Sequence, residues 1–153
     1  MKKTVLYAPV EGTLFDIVKC EDPVFADKVL GDGVFVRPTG NVILAPCDGV
    51  IETVTDTLHA ITMYDENKIP LILHIGIDTV ELEGKGFRVF VRNGEAVSRG
   101  QKLLEVDVEY IRNEGYDPSV ILIAADPACK VEKRNLEQLV DGESVVGEVC
   151  QEA

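Results

Sequence analysis

Apolar residues along this chain come in short, β-branched runs separated by Gly, Pro, Asp and Asn, not at the three-to-four spacing of an amphipathic helix. The pattern predicts strands near Thr4 to Ala8, Thr13 to Val18, Val34 to Arg37, Val42 to Ala45, Val50 to Val54, Ala60 to Tyr64 and Leu71 to Ile75. Further strands are predicted near Phe87 to Val91, Lys102 to Val106, Val120 to Ile123 and Val145 to Val149. Such regular spacing points to an all-β fold, an antiparallel sandwich or barrel. Helical signals are few: Asp107 can cap a short turn over Val108 to Glu114 that Gly115 closes, and Lys133 to Val140 reads as a second.

The run Ala8-Pro9-Val10-Glu11-Gly12-Thr13-Leu14 has an echo in Ala45-Pro46-Cys47-Asp48-Gly49-Val50-Ile51. Proline cannot donate to a ladder and glycine permits close approach, so each copy marks a corner between strands and the pair suggests a duplicated β unit. No low-complexity linker interrupts the chain, which predicts one domain over residues 1–153.

Acidic residues outnumber basic ones 27 to 15, a formal charge of −12. That balance disfavours nucleic acid and anionic membrane and favours a basic protein surface as partner. Val5-Leu6-Tyr7 is too short for the apolar core of a signal peptide, and no run approaches membrane-spanning length, so a cytoplasmic location without membrane insertion is expected. Cys20, Cys47, Cys129 and Cys150 are widely scattered and read as reduced thiols.

The candidate chemistry centres on two histidines. His74 ends the apolar run Ile69 to Leu73, where a core strand reaches the surface; Gly76 permits a sharp turn, and Asp78 and Glu81 set carboxylates beside Val80 and Leu82. His59 closes the segment Asp56-Thr57-Leu58, and on a strand Thr57 would share its face. If the segments ending at His59 and beginning near Leu71 are neighbouring antiparallel strands joined by Asp65 to Lys68, both rings meet in one site.

Zinc hydrolysis would need a third ligand such as Asp78, and neither HxH nor HExxH occurs. Nucleophilic catalysis by serine or cysteine lacks a GxSxG elbow or a cysteine motif. Phosphoryl transfer through an imidazole nitrogen fits best and demands no metal or cofactor: a neutral ring is nucleophilic, the second histidine supplies a donor, and apolar surroundings exclude water. A biotinyl or lipoyl carrier would need a lysine at a hairpin tip with methionine or aspartate beside it, which no lysine here has.

Together, Val24 to Gly33, Pro38-Thr39-Gly40-Asn41, Ala45 to Gly49, Thr57-Leu58-His59-Ala60 and His74 to Leu82 resemble, in order, the glucose-family enzyme IIA of the bacterial phosphoenolpyruvate-dependent sugar phosphotransferase system. The resemblance covers about Ala8 to Val106 and is looser beyond. It implies a β-sandwich of the duplicated hybrid type with a shallow apolar depression. It further implies that His74 is phosphorylated on Nε2, with His59 in support and Thr57 helping to hold the group. Val24, Phe25, Val29 and Val80 would form a docking face, with Asp78 at its rim. The implied donor is phosphorylated HPr and the implied acceptor a cysteine of enzyme IIB. Regulatory binding to other proteins is compatible with the family. A free-standing enzyme IIA is the expected form.

Overall fold

The computed structural model describes residues 2–151. Their strands are β1 (Lys2–Tyr7), β2 (Gly12–Asp16), β3 (Asp32–Pro38), β4 (Val42–Leu44), β5 (Gly49–Val54), β6 (Ala60–Asp65) and β7 (Pro70–Ile77). They continue with β8 (Phe87–Val89), β9 (Ala96–Val97), β10 (Lys102–Val106), β11 (Asp117–Ala124), β12 (Cys129–Lys133), β13 (Leu139–Val140) and β14 (Val145–Gln151). Two short helices, α1 (Pro23–Ala26) and α2 (Val108–Asn113), complete the regular structure with single 3₁₀ turns at Ile17–Lys19 and Thr79–Leu82. The all-β expectation holds.

The largest sheet orders its strands β13-β2-β3-β11-β7-β6-β5-β9, and two three-stranded sheets run β1-β14-β12 and β4-β10-β8. Every pairing is antiparallel. One apolar core draws on all three sheets, including Leu6, Leu14, Val36, Ile43, Ile51, Ile61, Leu73, Leu104, Val131 and Val149. The large sheet ends in strands of only two residues, which leaves little open edge for another chain to pair with.

The duplicated corner is real in the fold. Gly12 opens β2 and pairs with Pro38 at the end of β3, while Gly49 opens β5 and pairs with Asp65 at the end of β6. In each case the neighbouring backbone comes so close that a Cβ would lie 2.2 Å from a carbonyl oxygen, of Arg37 at Gly12 and of Tyr64 at Gly49. The same local requirement recurs at the same place in two hairpins.

Asp107 caps α2 by accepting the Tyr110 N–H at 3.0 Å, as its sequence predicts. The helix predicted over Lys133 to Val140 does not form. Lys133 ends β12 with its ammonium 2.7 Å from Asp32 and 3.1 Å from Asp16. Asn135 and Glu137 then take left-handed φ of 63° and 64°, and the Glu137 N–H donates to the Leu14 carbonyl. These bonds to β2 and β3 override a weak local helix preference. The strand predicted to reach Val18 stops at Asp16, whose carboxylate caps the 3₁₀ turn that follows.

Candidate functional site

Alternation along β7 builds the site. Leu71, Leu73 and Ile75 are fully buried against the main core, so Ile72 and His74 point to the opposite face of the sheet. There a second apolar cluster has formed from Phe35 of β3, Ile121 and Ile123 of β11, and Ile17, Cys20 and Phe25 from the segment between β2 and β3, with Ile72 packed against it. That segment is held down by α1, whose first residue is Pro23 and whose cap is Asp22, accepting the Val24 N–H at 2.9 Å. The Phe25 ring stands 5.0 Å from the His74 ring and walls one side of it.

The β6–β7 hairpin sets the other side. The Asp65 carboxylate accepts the N–H groups of Asn67 and Ile69, tightening the turn and fixing a register in which Ala60 faces His74. A slip of one residue would send His74 into the core. The small side chain of Ala60 leaves room beside the imidazole. His59 itself lies just outside β6, in a turn where Leu58 adopts a left-handed φ of 62°. The strand paired with β7 therefore begins after His59 instead of ending at it, and Thr57 reaches His59 through the turn, not along a strand face. The Ile75 N–H donates to the His59 carbonyl at 2.7 Å, and the two imidazoles meet edge to face with centroids 5.1 Å apart.

Each ring is oriented by a bond at Nδ1. In His74, Nδ1–H donates to the Gly76 carbonyl at 2.8 Å, which leaves Nε2 with its lone pair. In His59, Nδ1 bonds the Thr57 hydroxyl at 2.5 Å, with the Thr55 hydroxyl at 3.4 Å. Burial holds His74 below the ordinary imidazole value of 6.5, and the adjacent His59 adds to that, while the Gly76 bond and the carboxylates of Asp22 and Asp78 oppose it. Burial also lowers His59. Both rings are thus neutral at neutral pH, one presenting a nitrogen lone pair and the other able to present an N–H.

The rings open into a hollow of about 260 Å³ lined by Asp22, Val24, Phe25, Leu30, His59, His74, Asp78 and Val80. Six of the eight site residues expected from the sequence line it, namely His59, His74, Val24, Phe25, Val80 and Asp78, whereas Thr57 stands behind His59. Val29 is exposed and lies outside the lining, with Leu30 in its place. Phe25 is only 5% exposed and serves as a wall, while Val24, Leu30 and Val80 are exposed apolar surface at the rim. A larger depression of about 490 Å³ beside Asn41, Arg88 and Asp107 contains neither histidine, so size alone does not locate the chemistry. For metal, the hollow offers two imidazoles. Among the described residues, three potential ligand atoms within 4.8 Å of one another occur at Glu132, Glu148 and Cys150, away from the hollow.

Sequence reading missed Asp22, Leu30 and Thr55. Asp22-Pro23 is a helix-start signature and was available in the sequence; Leu30 and Thr55 carry no local signal. No helix among the described residues is long and apolar enough to cross a membrane.

Known proteins agree with this architecture. The model of a family described as phosphoenolpyruvate-dependent sugar phosphotransferase system, EIIA 1, matches residues 4–128. The chain is 40% identical over 144 residues to the PTS system glucose-specific EIIA component of Haemophilus influenzae, spanning 92% of this chain and 86% of that one. It is 38% identical over 144 residues to the PTS system glucose-specific EIICBA component of Staphylococcus carnosus, covering 94% of this chain and 21% of that protein. Among solved structures, glucose permease IIA from Mycoplasma capricolum superposes with a TM-score of 0.83 at 30% identity, covering 97% of this chain and 96% of that one. The chain belongs to the EIIA 1 family of the phosphoenolpyruvate-dependent sugar phosphotransferase system.

Proposed function

We propose that this chain is a single, cytoplasmic enzyme IIA domain that accepts a phosphoryl group from phospho-HPr on Nε2 of His74 and hands it to a cysteine of enzyme IIB. The observation that most supports the reading is the bond from His74 Nδ1–H to the Gly76 carbonyl. It fixes the tautomer whose Nε2 is an unprotonated nucleophile, and it does so beside a second imidazole in an apolar hollow.

In the uptake step the Nε2 lone pair bonds to phosphorus while the donor's nitrogen–phosphorus bond breaks, its electron pair returning to the donor ring. The Nδ1 proton stays on the carbonyl bond throughout, so no separate base is needed. In the second step a thiolate of enzyme IIB forms a sulfur–phosphorus bond and the electron pair returns to Nε2. With the Thr57 hydroxyl donating to His59 Nδ1, His59 turns Nε2–H toward the phosphoryl oxygens and stabilises the charge that develops there. Apolar walls from Val24, Phe25, Leu30 and Val80 keep water from the labile bond. Asp22 and Asp78 place negative charge at the rim, which suits a donor with a basic face. The relative that carries EIICBA in one chain is consistent with hand-over to a IIB partner.

Reconstitution with phosphoenolpyruvate, enzyme I and HPr tests the reading. The wild-type chain takes up label and passes it to IIB, and His74→Ala takes up none. Persistent label in that variant would overturn the assignment.

A further inference from the structure

The turn whose carbonyl orients His74 is itself held in place, by Thr79. For Gly76 to turn its carbonyl back onto a ring two positions earlier, the backbone must leave the extended path of β7, and Gly76 does so at a left-handed φ of 83°. Thr79, fully buried, sits directly beneath this turn. Its hydroxyl donates to the Ile75 carbonyl at 2.5 Å. Its methyl group packs so tightly under Gly76 that a Cβ there would lie 2.3 Å from Thr79 Cγ2, with the Asp117 carbonyl closing the other side at 3.1 Å.

The main chain of Ile75 is consequently shared between the two halves of the site. Its N–H donates to the His59 carbonyl, and its carbonyl accepts from Thr79. Thr79 thus anchors, through the two peptide groups that flank Ile75, both the turn that bonds His74 Nδ1 and the backbone that carries His59. A buried hydroxyl satisfying a buried carbonyl in this position also resists rearrangement, because breaking the bond strands a polar group without water.

We infer that Thr79 is a positioning residue for phosphoryl transfer: its hydroxyl locks the Ile75–Gly76 turn, and through it the His74 tautomer and the separation of the two rings. The inference rests on the proposed relay for its consequence in rate, but the tautomer it assigns is measurable with no phosphoryl donor present.

Thr79→Val removes the hydroxyl and keeps the shape; Thr79→Ser keeps the hydroxyl. Long-range ¹H–¹⁵N spectra of the imidazoles are expected to show His74 protonated at Nδ1 alone in the wild type and in Thr79→Ser, and a mixture of both tautomers in Thr79→Val. Uptake of label from phospho-HPr is expected to fall about tenfold in Thr79→Val, as small misplacement of a reacting group does, and to return in Thr79→Ser. If Thr79→Val does not fold, Thr79→Ala against Thr79→Ser isolates the hydroxyl by the same spectra. A folded variant without the hydroxyl that keeps His74 wholly in the Nδ1–H form would overturn the inference, whatever its stability. Label arriving at a residue other than His74 would instead overturn the relay and leave the tautomer result standing.

Discussion

His74 and His59 lie with ring centroids 5.1 Å apart, yet they are held by different kinds of partner. His74 projects from a regular strand and gives its Nδ1 proton to a main-chain carbonyl, which can only accept. His59 projects from a turn and bonds side-chain hydroxyls, which can donate or accept. The backbone partner dictates one tautomer; the hydroxyl partner tolerates either and lets the ring follow the charge beside it. In the proposed relay this contrast would divide the reaction between a fixed acceptor, His74, and an adaptable support, His59.

The contrast is broken most severely at His59. His59→Gln keeps a donor but loses the ring, so uptake from phospho-HPr is expected to persist while onward transfer to IIB falls by about 10² to 10³. Single-turnover transfer to IIB measures this, and equal rates in wild type and variant would refute the supporting role. Next comes the lock on His74. Gly76→Ala forces a side chain into left-handed backbone against Thr79 and the Asp117 carbonyl, and is expected to destabilise the fold by about 1–3 kcal/mol and slow uptake about 10²-fold. Denaturant unfolding and uptake kinetics read the two effects separately. Thr57→Val removes the closer hydroxyl from His59 and leaves Thr55 as a substitute, so a loss of only about tenfold in onward transfer is expected.

Acid sharpens the same comparison gently. Because burial and His59 hold the folded His74 value below 6.5, its neutral form is favoured by the fold. The corresponding stability is present above 6.5 and is lost as pH falls from there through the folded value. Uptake should therefore stay level from alkaline pH down past 6.5 and decline only below it. In His59→Gln, which removes one of the causes of lowering, the decline should move upward in pH. An unmoved profile would remove His59 from the electrostatics of His74.

The same division explains what the sequence could disclose. His74 was legible because period-two alternation assigns it a face: Leu71, Leu73 and Ile75 fill the core, so their neighbour must emerge on the other side. His59 was placed on the wrong side of its strand boundary, since the turn that aims it depends on Leu58 at positive φ, a position no glycine or asparagine announces. Lys133 to Val140 was misread for a similar reason, its path being set by ion pairs and backbone bonds to strands more than a hundred residues earlier. Helix α1, four residues long, offers too little periodicity to detect, and only its Asp22-Pro23 start gives it away. Alternating patterns fix faces; where a turn or an ion pair does the aiming, the tertiary fold decides.

The most direct measurement is the position of the phosphate on the protein. ³¹P and ¹⁵N spectra of the wild-type chain phosphorylated by phosphoenolpyruvate, enzyme I and HPr should place a single phosphoryl group on Nε2 of His74, with Nδ1 still protonated. Phosphate on Nδ1 of that ring, on His59 or on any other side chain would contradict the account.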